Sequence, residues 1–185
     1  MDGAPKIDFS SKSIDSMAVS GHKFLGCPFP CGVTVTRKEH VEKVENYIDY
    51  LGTFDNTLMC SRSGLAPIYL WYALSTKGLG GLQADVDHCM DTARYLCRKL
   101  RAAGLKANVN PFSTTVCFER PVDKEFILRW QLSCTKDIAH VVAMKATTVG
   151  KLDVFVEEFL ESIKLHGRVC CESEDSPLAM LDVEW

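Results

Sequence analysis

The stretch Ser16-Met17-Ala18-Val19-Ser20-Gly21-His22-Lys23-Phe24-Leu25-Gly26-Cys27-Pro28-Phe29-Pro30-Cys31-Gly32-Val33-Thr34-Val35-Thr36 decides how this chain is read. Ser16 to Val19 and Val33 to Thr36 have the composition of short strands. Between them, glycine and proline punctuation marks a tight connection, and Lys23 sits on it. Gly21 lets another part of the molecule approach the backbone closely. A lysine on such a turn is most simply a solvated charge. Its chemical use is covalent catalysis, by Schiff-base formation with a carbonyl compound. His22 adds an anion-binding ring beside it, and Ser20 adds a hydroxyl.

Composition narrows the class. The chain has 185 residues, 46% hydrophobic and 24% charged, which fits one globular domain or slightly more. A net charge of −3 gives no reason to expect a nucleic-acid or acidic-membrane partner. No run approaches the ~18 apolar residues of a membrane span, and Met1 to Lys6 lacks the apolar core of a secretory signal. The expectation is a soluble, cytoplasmic protein. The nine cysteines do not form paired C-x2-C units of a zinc ribbon, and are read as structural thiols.

Downstream, Arg37 to Tyr47 reads as a short helix, and Asn46 to Ser63 as a long irregular loop carrying Tyr47 and Tyr50. Cys60-Ser61-Arg62-Ser63-Gly64 then leads into a helix from Ile68 to Thr76, with Pro67 at its first turn. Hydroxyls, a cation and backbone N–H groups near a helix start suit a phosphate-bearing ligand. Leu82, Val86, Cys89, Met90, Ala93, Leu96, Cys97 and Leu100 recur at helical spacing, about six turns stopped by Gly104. Strands follow at Leu105 to Val109 and Thr114 to Glu119. A helix capped by Asp123 carries Phe126, Ile127, Trp130 and Leu132. A strand at His140 to Met144 precedes a helix capped by Thr148. The order describes a small α+β domain with helices on one face of its sheet. From His166 the sequence is acidic and aperiodic, which predicts a disordered tail.

With these segments in hand, Asp15 to Val33 resembles the cofactor-lysine segment of the group II pyridoxal-phosphate-dependent amino-acid decarboxylases. It is most similar to the plant serine decarboxylase and histidine-decarboxylase-like branch. The likeness continues through Ser61-Arg62-Ser63-Gly64, Ala66 to Tyr72, Thr115 to Pro121, Trp130-Gln131-Leu132, Ala139 to Met144 and Lys151-Leu152-Asp153, so it covers roughly residues 4–164. The resemblance implies an α/β fold: the C-terminal part of a fold type I large domain, then a small α+β C-terminal domain. Residues 1–78 would be the remnant of the large domain, 79–165 the small domain and 166–185 the tail.

It also implies chemistry. Lys23 would be the Schiff-base lysine for pyridoxal 5'-phosphate, with His22 and Ser20 helping to hold the phosphate. Ser61 would reach the phosphate of a neighbouring subunit, in a homodimer whose active site lies at the interface. Tyr50 would be the tyrosine that reprotonates the substrate carbon, with Tyr47 in reserve. The implied reaction is decarboxylation of an amino acid of serine or histidine type.

Departures accompany the likeness. The region that would stack on the cofactor ring and pair an aspartate with its nitrogen has no match in the chain, so a truncated chain is expected. Cys60 replaces a glycine of close relatives, and Leu65 a frequent histidine. Two other readings stay open: a catalytically inactive dimerisation fragment of the same fold, and a desulfurase-like lyase using Cys60.

Overall fold

The computed structural model describes residues 4–10, 13–56 and 62–168. The chain divides into two compact units, Met1–Leu79 and Gly80–Trp185. Among the described residues no helix is long and apolar enough to cross a membrane.

In the first unit, β1 (Ser16–Ser20) pairs antiparallel with β2 (Gly32–Thr36), from Ser16 opposite Thr36 to Ser20 opposite Gly32. Side chains alternate along a strand, so Met17, Val19, Val33 and Val35 share one face. Val19 and Val35 on that face are each 45% exposed. The open end is tied off by Thr36 Oγ1 donating to the Asp15 carbonyl and by Arg37, which donates to the Phe9 carbonyl and lies over the Phe9 ring.

The helix expected from Arg37 to Tyr47 shrinks to α1 (Lys38–Val41). It buries no residue and Arg37 makes no side-chain cap, so nothing offsets the cost of nucleating a longer helix. The expected irregular loop is also corrected. Asn46 to Asp55 forms a hairpin of β3 (Asn46–Ile48) and β4 (Thr53–Asp55), turned at Gly52, whose φ of +64° favours glycine.

Helix α2 (Leu65–Ala102) begins in the first unit and ends in the second, broken at Gly78 by φ +59° and ψ −172°. The sequence reading of two helical stretches parted at Lys77-Gly78 therefore holds. Gly104, at φ +77°, ends the second stretch.

The second unit is a four-stranded antiparallel sheet in the order β5-β6-β8-β7, from β5 (Ala107–Val109), β6 (Thr115–Glu119), β7 (Ser133–Thr135) and β8 (Ile138–Val142). Registered pairs put Ala107, Val109, Val116, Phe118, Cys134, Ala139 and Val141 on one face, and all of them join the core. Against that face pack the second stretch of α2, α3 (Lys124–Arg129) and α4 (Val149–His166). Helices thus cover one face, as the sequence pattern requires. Phe118 lies edge-on to Phe155 and Phe159 at centroid distances of 5.7 and 5.8 Å, while Phe126 stacks on Phe159 at 5.3 Å. Such pairs add about 0.5–1.5 kcal/mol each beyond area burial.

Both expected caps are present. Asp123 accepts from the Glu125 N–H, and Thr148 from the Lys151 N–H. Strand β7 was not expected; it returns to β8 through Lys136, whose φ is +51°. Of the expected tail, His166 still belongs to α4 and Arg168 bonds to Glu119 and the Gly104 carbonyl. Residues 169–185 lie outside the described residues.

Candidate active site

The connection from Ser20 to Gly32 is built around Gly21. Its N–H donates to the Cys31 carbonyl at 2.8 Å, and its carbonyl accepts from the Cys27 N–H at 3.0 Å. The turn therefore folds back on its own start. Lys23 stands at the junction of two successive turns: its N–H donates to the Ser20 carbonyl and its carbonyl accepts from Gly26, each at 3.1 Å. Gly26 closes the second turn at φ +72°. With its main chain bonded on both sides, Lys23 projects an exposed amine from a fixed base.

The neighbours are fixed as firmly. His22 Nδ1 lies 3.1 Å from the Cys31 carbonyl oxygen and 3.3 Å from the Cys31 nitrogen, so the ring is held at the foot of β2 through one nitrogen. Nε2 remains as its second polar atom. Cys27 and Cys31 are buried beneath the turn. Burial, reinforced by the adjacent Cys27, pushes the Cys31 thiol up from its ordinary value, which makes it a poor nucleophile.

Helix α2 braces the turn from outside. Tyr69 donates its hydroxyl to the Gly26 carbonyl at 2.7 Å and meets the Phe29 ring edge-on at 6.3 Å. Leu70 stands beside Gly21. Sequence reasoning missed this bracing role of Tyr69, since a tyrosine on an apolar helix signals packing and nothing more.

Tyr50 is carried separately, on the turn between β3 and β4, and is 77% exposed. Tyr47 is engaged within the hairpin, edge-on to Phe54 at 5.3 Å. Arg62, offered by the sequence as a phosphate cation, is paired with Asp55. Leu65 is 63% exposed at the first position of α2. Ser61 and Cys60 lie outside the described residues. The structure thus brings Ser20, His22 and Lys23 together on one connection and places Tyr50 on a second, independent element. Among the described residues no cluster of three His, Cys, Asp or Glu side chains could hold a metal ion.

The turn presents an exposed lysine beside an imidazole, with Ser20 at its start. Comparison with known proteins makes the class specific. The profile described as "Pyridoxal-dependent decarboxylase conserved domain" matches residues 4–120, and the chain belongs to that family. It is 51% identical over 158 residues to serine decarboxylase 1 of Oryza sativa subsp. japonica, covering 85% of this chain and 33% of that protein. It is 46% identical over 158 residues to a histidine decarboxylase of Solanum lycopersicum, covering 85% of this chain and 38% of that one. Among solved structures, L-methionine decarboxylase from Streptomyces sp.590 superposes with a TM-score of 0.73 at 29% identity, covering 84% of this chain and 33% of the other. The chain spans about a third of the length of these relatives.

Proposed function

We propose that this chain carries the cofactor lysine of a pyridoxal-phosphate-dependent carboxy-lyase acting on an amino acid of serine or histidine type. The observation that carries the reading is the turn itself: Lys23 is bonded through its main chain on both sides and flanked by His22 and Ser20. The donor set fits the cofactor, because an exposed primary amine suits its aldehyde, while an imidazole and a hydroxyl suit its phosphate.

In this reading Lys23 holds the aldehyde covalently through its amine, and His22 and Ser20 bind the phosphate. Ser61 adds a hydroxyl to the phosphate site of a second subunit. When bound, pyridoxal phosphate supplies the sink for the electrons left when the carboxylate departs. The protein's own task is orientation and proton delivery. Tyr50, exposed at the hairpin tip, delivers a proton from its hydroxyl to the substrate α-carbon after carbon dioxide has left. Residues 1–78 act as part of the cofactor-bearing large domain, and 79–165 as the small domain.

A homodimer is part of the proposal. The first stretch of α2 exposes Leu65, Ile68, Trp71 and Tyr72, each by more than half, an apolar concentration typical of a surface that another part of the protein covers. A cytoplasmic setting agrees with the free thiols of Cys27, Cys31, Cys97, Cys117 and Cys134.

The test is product formation. Protein supplied with pyridoxal phosphate and L-serine or L-histidine is expected to release carbon dioxide and the corresponding amine. Cofactor binding without amine formation from any amino acid would favour the inactive dimerisation reading.

A further inference from the structure

Asp55 ends β4 and Arg62 leads into α2, and their side chains meet. Arg62 Nη1 donates to both carboxylate oxygens of Asp55, at 3.1 and 3.2 Å. The Asp55 side chain is only 14% exposed, whereas that of Arg62 is 53% exposed. The pair therefore has one sheltered member, and it bonds the root of the tyrosine hairpin to the lead-in of the helix.

The hairpin has reason to need such a bond. Its strands are three residues long, and an isolated two-stranded ribbon is marginal in water. The Tyr47–Phe54 ring contact and the ladder from Asn46 to Asp55 hold one strand to the other. The Asp55–Arg62 pair instead holds the hairpin to the segment that leads into α2, the helix whose Tyr69 and Leu70 brace the lysine turn. Arg62, just ahead of α2, thus reaches the element that carries Tyr50, while Tyr69 and Leu70, in the first turns of α2, reach the element that carries Lys23.

We propose that Asp55 and Arg62 are positioning residues for the tip tyrosine, and that Arg62 serves this purpose rather than the cofactor phosphate. The inference rests on the reading of Tyr50 as proton donor. A reacting group displaced by ~1 Å loses on the order of 100-fold in rate, so a tether at the hairpin root acts on chemistry at its tip.

Two readouts separate this role from simpler ones: amide hydrogen exchange across residues 46–55, measured without cofactor, and steady-state kinetics with the amino acid that the wild-type chain decarboxylates. Asp55→Asn and Arg62→Gln are each expected to speed hairpin exchange about fivefold, the scale of a partly exposed ion pair. Each lowers kcat about tenfold with KM little changed, the signature of an interaction felt in the transition state. The exchanged pair, Asp55→Arg with Arg62→Asp, is expected to recover much of both.

Unchanged exchange in both single variants overturns the proposal. Faster exchange with unaltered kcat also overturns it, leaving a purely structural pair. Weaker retention of pyridoxal phosphate in Arg62→Gln with hairpin exchange unaltered makes Arg62 a phosphate ligand and likewise overturns it. A wild-type chain that decarboxylates nothing defeats the function proposed above and the positioning role that rests on it, whereas unchanged exchange overturns the tether whatever the kinetics show.

Discussion

Gly21 stands so close to Cys31 that a β-carbon at position 21 would lie 2.9 Å from Cys31 Sγ and 3.2 Å from Leu70 Cδ2. Cys31 is buried and short, so it has little room to yield. Glycine at this position answers a close approach of side chains. Gly21→Ala is expected to cost about 1–3 kcal/mol, the scale of overpacking, and to shift the two residues that precede Lys23. Urea midpoints and the yield of borohydride labelling at Lys23 check both effects. Gly32→Ala is the control: nothing lies within 4 Å of its added carbon, so its midpoint should barely move.

Tyr50→Phe removes only the tip hydroxyl. Decarboxylation should fall about 100-fold or more, the scale of a lost general acid, while cofactor retention stays at the wild-type level. Tyr47→Phe should leave the rate within about twofold, because the ring that meets Phe54 edge-on is kept. Comparable rates for the two variants would remove Tyr50 from its role.

The second unit has its own polar clamp. Tyr95 donates to Asp153 Oδ1 at 2.6 Å and Lys99 lies 3.0 Å from the same oxygen, joining α2 to α4. These two partners, Tyr95 first, hold the Asp153 carboxyl below its usual range. A lowered folded value means that the stabilisation is present above the unfolded carboxylate value of about 3.9 and is lost as pH falls through the folded value. The Asp153 bond raises Lys99 in turn, so that contribution is present below about 10.4 and is lost as pH rises through the higher folded value. Asp153→Asn should lower the melting temperature at pH 7 and flatten its decline below pH 5. An unchanged acid limb would show that the clamp does not couple to folding.

Phe118 has 0% exposure and lies edge-on to both Phe155 and Phe159. Phe118→Ala should destabilise the second unit by about 3–5 kcal/mol, measured by denaturant unfolding. The loss follows from burial and the cavity left behind.

The readable parts of the sequence were those whose physics is local. Asp123 and Thr148 announced helix starts, Gly104 a helix end, and the spacing from Leu82 to Leu100 a buried helix face. The turn around Lys23 was legible for the same reason, since glycine and proline mark it on both sides. Strand β7 was not, because Gln131 and Lys136 take left-handed backbone at φ +49° and +51°, and neither residue type advertises that. The β3–β4 hairpin hid because strands of three residues are too short for alternation to stand out in a polar stretch. At the site, the Tyr69 and Arg62 contacts reach Gly26 and Asp55 through tertiary structure, which spacing along the chain does not reveal.

The chemistry proposed for the chain depends on one amine. Mixing the chain with pyridoxal 5'-phosphate, reducing with borohydride and mapping peptides by mass reads it directly. The expected result is a single reduced cofactor adduct on Lys23, lost in Lys23→Ala. An adduct on another lysine, or one that survives Lys23→Ala, would contradict the assignment of this turn as the cofactor site.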